Sequence, residues 1–149
     1  MKITPNELDV MCQTAGITKD ALYTALRTMG PKVIKPAFRS GWSDSNPVFC
    51  TCYFVSEFAY FYLAPKGTIP YSVKVPGDPG LHRFLKYPTG AIIDLTAEQF
   101  PDYDLVKSLY PVAKVTYFMQ TGCTGPSKRA QQLATLLGVP TSWSDPKIQ

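Results

Sequence analysis

The sequence predicts an α+β fold in which a central helix packs on an antiparallel sheet of about four strands. Three observations lead to this prediction. Residues 46–63 are apolar almost throughout, as expected of a helix that is buried on every side. After Gly67, apolar residues recur at every second position, which is typical of a half-buried strand. No regular alternation of strands and helices follows, so a parallel sheet is not expected.

The composition is that of one folded domain spanning residues 1–149. Apolar residues make up 45% of the chain and charged residues 17%, which argues against disorder. The net charge of +4 is modest and the basic residues are scattered, so a nucleic-acid partner is not expected. The four cysteines do not follow the pattern of a secreted disulfide framework. Neither a signal peptide nor a membrane span is visible, so we expect a cytoplasmic protein with reduced thiols.

A pair of short helices is expected within residues 1–30, where Thr4 and Thr18 stand at capping positions. Two helices joined in this way also occur in helix-turn-helix motifs. The second helix carries only Lys19 and Arg27 as basic residues, which is too little charge for a recognition helix. A hairpin that packs on the rest of the protein is therefore favoured.

The central helix is predicted to begin at Pro47, with Asn46 or Ser45 as its cap. Its first two turns then contain Cys50 and Cys52, at the end where the helix dipole favours a thiolate. Residues two apart on a helix point about 200° apart, so only one of the two cysteines is expected to face the sheet. The alternative is that both are small core residues, since free cysteine is often buried.

The predicted strands are short and are followed by a C-terminal helix. The strands are expected at residues 68–75, 81–87, 91–95 and 112–119. Ser127 is expected to cap a helix over residues 127–138. Residues 140–149 are expected to be a frayed tail.

The second and third strands form a predicted hairpin that brings His82 and Asp94 together. If the turn centres on Pro88 and Thr89, these two residues lie opposite each other on one face of the sheet. A carboxylate beside an imidazole fixes its tautomer and supports its positive charge, which leaves the other nitrogen free to accept a proton from a nucleophile. The alternative role of the pair is a structural hydrogen bond that fixes the hairpin.

The order of cysteine, histidine on a strand and acid on the next strand resembles that of papain-like folds of the NlpC and transglutaminase type. Residues 52–56 (Cys-Tyr-Phe-Val-Ser) also resemble the stretch that follows the nucleophile in papain relatives. A closer resemblance, to the YunG-like family, covers about residues 39–118. It is carried by Trp42-Ser43, Asn46-Pro47, the helix with the cysteines, His82, and residues 90–100 (Gly-Ala-Ile-Ile-Asp-Leu-Thr-Ala-Glu-Gln-Phe).

This resemblance implies a thiol hydrolase or acyl transferase that attacks an amide or thioester of a peptide or protein substrate. The catalytic residues would be Cys52, His82 and Asp94, with Cys50 as the alternative nucleophile. The family has Gly-Gln before its cysteine, whereas this chain does not. Asn46, six residues before Cys52, is the candidate oxyanion donor, and backbone N–H groups at the helix start are the alternative. No cofactor and no metal is expected.

The resemblance also implies that residues 39–119 form a papain-like core, to which the hairpin of residues 1–30 and the helix of residues 127–138 are added. Two other functions stay open. One is a catalytically inert papain-like scaffold that acts as a binding or inhibitor protein. The other is a zinc site, although the CxC spacing is tighter than the usual CxxC knuckle. Its ligands would be Cys50, Cys52, His82 and Cys123.

Overall fold

The computed structural model describes residues 1–118 and 125–146 and has an α+β architecture. The α-helices in these ranges are α1 (Pro5–Ala15), α2 (Lys19–Met29), α3 (Cys52–Tyr62), α4 (Tyr103–Leu109) and α5 (Lys128–Leu137). The strands are β1 (Ile69–Lys74), β2 (Leu81–Lys86), β3 (Ile92–Ile93) and β4 (Lys114–Val115). Short 3-10 helices cover Pro31–Val33, Pro36–Gly41, Ala97–Gln99 and Tyr110–Val112.

The sheet has the strand order β3-β2-β1-β4, and each neighbouring pair is antiparallel. This confirms the prediction of a four-stranded antiparallel sheet. The strands β3 and β4 have only two residues each and are shorter than predicted. Residue 119, at the end of the fourth predicted strand, lies outside the described residues.

The central helix α3 begins at Cys52, so the prediction that it begins at Pro47 is wrong. The reason is a turn before the helix, in which the Thr51 N–H donates to the Val48 carbonyl at 3.1 Å. Cys50, within this turn, has a φ of 57°, a left-handed conformation that an α-helix cannot contain. Cys52 is therefore the first residue of α3, and Thr51 is its N-cap.

The N-terminal hairpin is present as predicted. Thr4 and Glu7 form a capping box at the start of α1, and Gly16 ends this helix in the left-handed conformation with a φ of 90°. Leu8 on α1 and Leu22 on α2 are fully buried and belong to the same hydrophobic cluster as α3. Both helices therefore use their apolar faces for packing.

The C-terminal helix α5 is fixed to α3 through a buried carboxylate. Ser127 caps α5 as predicted, and its backbone N–H and its hydroxyl both donate to the side chain of Glu57, at 3.1 and 2.5 Å. Glu57 is fully buried, and this burial raises the pKa of its carboxyl although the bonds from Ser127 lower it. The helix start is thereby held at a defined position on α3.

The segment after α5 packs against the protein as far as residue 146, so the prediction of a frayed tail is wrong for residues 140–146. The Ser144 N–H donates to the Phe61 carbonyl at 3.2 Å, and the ring of Trp143 meets that of Phe61 edge-on at 5.4 Å. The aromatic residues at the end of α3 supply these contacts, which the polarity of residues 140–146 does not reveal.

Every helix within residues 1–118 and 125–146 is too short or too polar to traverse a lipid bilayer.

Substitution of two leucines on α5 tests whether this helix packs in the core as described. Leu133 is fully buried and Leu136 is 41% exposed, although both lie on the same helix. We expect Leu133→Ala to lower the free energy of unfolding by about 2–5 kcal/mol, because it leaves a cavity in the core. Leu136→Ala, the matched control, is expected to cost less than about 1 kcal/mol. Urea unfolding followed by circular dichroism measures both, and equal losses would mean that α5 is not packed as described.

Candidate active site

The centre of the candidate site is a buried pair formed by His82 and Asp94. Nε2 of His82 lies 2.7 Å from Oδ2 of Asp94, and neither side chain has any exposed surface. The hydrogen bond predicted from the sequence is therefore confirmed. With Nε2 engaged in this way, the orientation of the imidazole ring is fixed, and the second nitrogen, Nδ1, is left for another partner.

The hairpin reaches this contact by a register that differs from the prediction. Gly90 takes the left-handed conformation with a φ of 90°, and its N–H donates to the Tyr87 carbonyl at 2.8 Å. This glycine adds a third residue to the loop, so that Leu85 pairs with Ile93. The prediction that His82 and Asp94 lie directly opposite each other is therefore wrong. The offset is two residues, which keeps both side chains on one face of the sheet.

Asp94 receives a second hydrogen bond from a residue that the sequence did not indicate. The Tyr110 hydroxyl donates to Oδ2 of Asp94 at 2.5 Å. Burial, together with the nearby Asp94 carboxylate, raises the pKa of Tyr110, which therefore remains a donor. Tyr110 begins the 3-10 helix after α4, outside any periodic pattern, and no sequence signal places it beside Asp94. Two donors thus hold this carboxylate in place.

His82 is enclosed by aromatic rings and favours its charged form. The ring of Phe100 meets the imidazole edge-on at 4.7 Å. Burial opposes a positive charge on the imidazole, but the carboxylate of Asp94 and the nearby Cys52 thiol outweigh it and raise the pKa of His82 to about 10. Within the described residues, the buried Nδ1 has no hydrogen-bond partner. The imidazole can therefore hold a proton at Nδ1.

Cys52 lies at the start of α3, beside this histidine. Its thiol donates to the carbonyl of Leu81, the residue before His82, at 3.5 Å, and Cys52 is 8% exposed. The N-cap residue Thr51 does not cap the helix with its side chain, because its hydroxyl donates to the Val48 carbonyl at 2.7 Å. The side chain of the N-cap residue thus leaves the positive end of the helix dipole uncapped, next to the thiol. This end of a helix attracts negative charge.

Cys50 faces the same space as Cys52, contrary to the expectation that only one of them would. That expectation assumed a helix through both residues, whereas Cys50 precedes α3. Its N–H donates to Oε1 of Gln99 at 3.2 Å. Burial, with the charges of Asp78 and Cys52, raises the pKa of Cys50 to about 11. This shift favours the neutral form of the Cys50 thiol at pH 7.

Asn46 is not brought to this site. Its N–H donates to the Ser43 carbonyl at 3.0 Å, and its Oδ1 is buried without a hydrogen-bond partner among the described residues. The cavity beside Cys52 is lined by other residues. Of the two candidate oxyanion donors that the sequence offers, only the backbone N–H groups at the start of α3 lie beside Cys52.

Both cysteines open onto a cavity of about 440 Å³. Its lining combines the thiols with apolar and basic side chains. The lining residues are Ile34, Lys35, Phe38, Cys50, Cys52, Tyr53, Asp78, Pro79, Gly80, Leu81, Arg83 and Arg129. A larger cavity of about 660 Å³ lies between the end of α3 and β1, and the described residues that line it include no cysteine and no histidine. The smaller cavity is therefore the candidate active site.

The proposed zinc ligands are not assembled in the part of the chain that the structure describes. There, no three or more histidine, cysteine or acidic side chains are arranged to hold a metal ion. Cys123, the fourth predicted ligand, lies outside the described residues.

Comparisons with models of protein families, with curated proteins and with solved structures returned no match.

The charge of His82 can be tested directly, because it is the only histidine in the chain. Its pKa is raised from 6.5 to about 10, so the charged imidazole stabilises the fold. This stabilisation is complete below about pH 6.5 and is lost as the pH rises through about 10. We expect Asp94→Asn to lower the pKa of His82, as measured by NMR titration of the imidazole protons. Asp104→Asn, an exposed control, should leave it unchanged, and an unchanged pKa in Asp94→Asn would contradict the role of this carboxylate.

Proposed function

We propose that the protein is a thiol hydrolase or acyl transferase that forms an acyl-cysteine on Cys52. The observation that carries this proposal is the buried 2.7 Å bond between Nε2 of His82 and Asp94. It leaves Nδ1, near the Cys52 thiol, without a hydrogen-bond partner among the described residues. A nucleophile, a base and a group that orients the base are the components of nucleophilic catalysis at an acyl group.

In the proposed reaction, Nδ1 of His82 already holds the proton of the Cys52 thiol, so the two side chains react as a pair of imidazolium and thiolate. The sulfur attacks the carbonyl carbon of an amide or thioester, and the carbonyl oxygen becomes an oxyanion that faces the N–H groups at the start of α3. His82 then gives its proton to the leaving amine or thiol, and the acyl-cysteine remains. Water or another acceptor attacks this intermediate while His82 takes its proton, and Cys52 is released as a thiol when His82 returns that proton.

Asp94 is a positioning residue in this mechanism. It contacts Nε2 of the imidazole and stabilises the positive charge that His82 carries during the reaction. The hydrogen bond from Tyr110 holds the carboxylate at this nitrogen. The proton on the other nitrogen is thereby aimed away from Asp94.

The same proposal includes a more specific assignment of the α+β fold. The nucleophile at the start of a central helix, followed by histidine and acid on successive segments of an antiparallel sheet, is the order noted above for papain-like folds and the YunG-like family. We propose a papain-like core on this basis, with a peptide or protein as substrate. A cytoplasmic location would keep the free thiols of Cys12, Cys50 and Cys52 reduced.

A second candidate function is a binding or inhibitor protein that keeps this scaffold without catalysis. It is favoured by the thiol of Cys52, which is almost buried and donates to the Leu81 carbonyl rather than to His82. In that case the cavity would hold a partner residue, and the thiol would react no faster than an ordinary one.

Alkylation by iodoacetamide separates the two functions. We expect one rapidly labelled thiol at pH 7, identified as Cys52 by mass spectrometry, with a rate constant about tenfold or more above that of a free thiol. Cys52→Ala should abolish the rapid phase, whereas the matched variant Cys50→Ala should retain it. Rapid labelling that survives Cys52→Ala and is lost in Cys50→Ala would make Cys50 the nucleophile. Slow labelling of all three proteins would favour the binding protein.

The base is tested by the pH dependence of the same reaction. His82→Ala removes the proton acceptor, so we expect the labelling rate at pH 7 to fall about tenfold and then to rise with pH as for an ordinary thiol. Asp94→Asn should show a smaller decrease, because the imidazole is retained. Pseudo-first-order rates between pH 5 and 9 measure both effects. A profile of His82→Ala that coincides with the wild-type profile would exclude His82 as the base.

A further inference from the structure

We infer that the cavity beside Cys52 recognises a negatively charged group of the substrate, and that Arg83 and Arg129 determine this specificity. The inference rests on the proposed function, because it identifies the class of substrate on which the Cys52 thiol would act. The group is a carboxylate or a phosphate that lies close to the amide or thioester under attack.

The first argument is the charge of the cavity lining. Among the described residues that line the cavity, three are cationic (Lys35, Arg83 and Arg129) and one, Asp78, has a carboxyl group. Burial raises the pKa of Asp78, although the Gly80 N–H and the cations near it act in the opposite sense. The carboxyl thus compensates only part of the positive charge, and the cavity attracts anions.

The second argument concerns Arg83, which has no carboxylate partner within the described residues. Its guanidinium lies over the ring of Tyr53, with Cζ 4.5 Å from the ring centre. Its Nε is buried and makes no hydrogen bond to any described residue. A buried donor without an acceptor is costly, so an acceptor on a bound ligand would be favourable here.

The third argument is the fixed position of Arg129. Its guanidinium lies 5.0 Å from the ring centre of Phe54, and its Nη1 donates to the Val33 carbonyl at 2.8 Å. Arg129 belongs to the first turn of α5, whose start is fixed by the bonds between Ser127 and the buried Glu57. No carboxylate lies within ion-pair distance of Arg129 in the part of the chain described, and the more distant Glu57 carboxyl, with which its charge interacts, is held by Ser127.

Arginine is suited to this task because its planar guanidinium binds carboxylate and phosphate through paired hydrogen bonds. The start of α3, which no side chain caps, lies at the same cavity and adds to the positive potential. The apolar lining residues Ile34, Phe38 and Leu81 leave room for the aliphatic part of such a ligand. A cavity of about 440 Å³ admits one acidic side chain or a similar small group.

Two alkylating reagents provide the test. The same sulfur attacks the CH₂ carbon of iodoacetate or of iodoacetamide and displaces iodide from either, but only iodoacetate carries a carboxylate. The rate constant for iodoacetate at Cys52 is divided by that for iodoacetamide. Changes in the reactivity of the thiol affect both rate constants and cancel, so the ratio measures how strongly the cavity attracts the carboxylate. We expect Arg83→Gln and Arg129→Gln each to lower this ratio at least about threefold, as expected for the loss of one charge several ångströms away. Increasing salt should lower the ratio in the wild-type protein as well.

Arg27→Gln is the matched control, because Arg27 also lies over a tyrosine ring and donates to a backbone carbonyl, yet does not line the cavity. It should leave the ratio unchanged. Arg83→Lys keeps the charge but loses the planar donor, so its ratio should lie between those of the wild-type protein and Arg83→Gln. Thermal melts identify any arginine variant that fails to fold. In that case the inference is tested by the ratio in Arg83→Lys and by the salt dependence of the wild-type ratio.

Protection of Cys52 from iodoacetate by acetate or by inorganic phosphate distinguishes the two anionic groups. Stronger protection by acetate assigns a carboxylate, and stronger protection by phosphate assigns a phosphate. A ratio that is the same in the wild-type protein, in both glutamine variants and at all salt concentrations would overturn the inference. That result would leave the proposed function intact if Cys52 still reacts rapidly with iodoacetamide, whereas slow iodoacetamide labelling would overturn the proposed function alone.

Discussion

The rest of the structure depends on the burial of α3 on almost every side. Phe54, Val55 and Phe58 have no exposed surface and lie in the cluster that helices and sheet form, while the C-terminal segment packs on Phe61 at the end of α3. A helix so enclosed must satisfy its few polar groups from its neighbours. Ser56 donates to the Arg83 carbonyl at 3.0 Å, and Glu57 accepts from the start of α5. These bonds fix β2 and α5 relative to α3, and both elements contribute to the cavity at its start.

The pair of His82 and Asp94 is difficult to explain by stability alone. Removing two ionisable groups from water is costly, and apolar residues of similar volume often stabilise a core at least as well. The surroundings nevertheless favour the charged imidazole, through the carboxylate and the nearby Cys52 thiol. A buried histidine with one engaged and one unengaged nitrogen is an arrangement suited to proton transfer. This arrangement supports the role of the pair in the proposed function.

The sequence predicted the sheet, the helical hairpin and the contact between His82 and Asp94. These features follow from the spacing of apolar residues, from the capping residues, and from the alternation of side chains between the two faces of a hairpin. The shifted register follows from the left-handed Gly90, whose conformation a Pro-Thr-Gly sequence does not decide. The late start of α3 likewise follows from a left-handed residue, Cys50, in the turn before the helix. The Asn-Pro sequence favours an earlier start, but an α-helix cannot contain this conformation. The bond from Tyr110 to Asp94 depends on tertiary contacts and has no local signal.

The position of the helix start connects reactivity with recognition. Because α3 begins at Cys52, the thiol lies at the positive end of the helix dipole, and the cavity there is also lined by Arg83 and Arg129. The same positive potential that would attract an anionic substrate also acts at the sulfur of Cys52. A bound anion would neutralise part of this potential. Under the proposed function, substrate affinity and thiol reactivity would therefore have a common electrostatic origin, and a substrate that places its anion on the arginines rather than on the helix start would preserve the field at the sulfur.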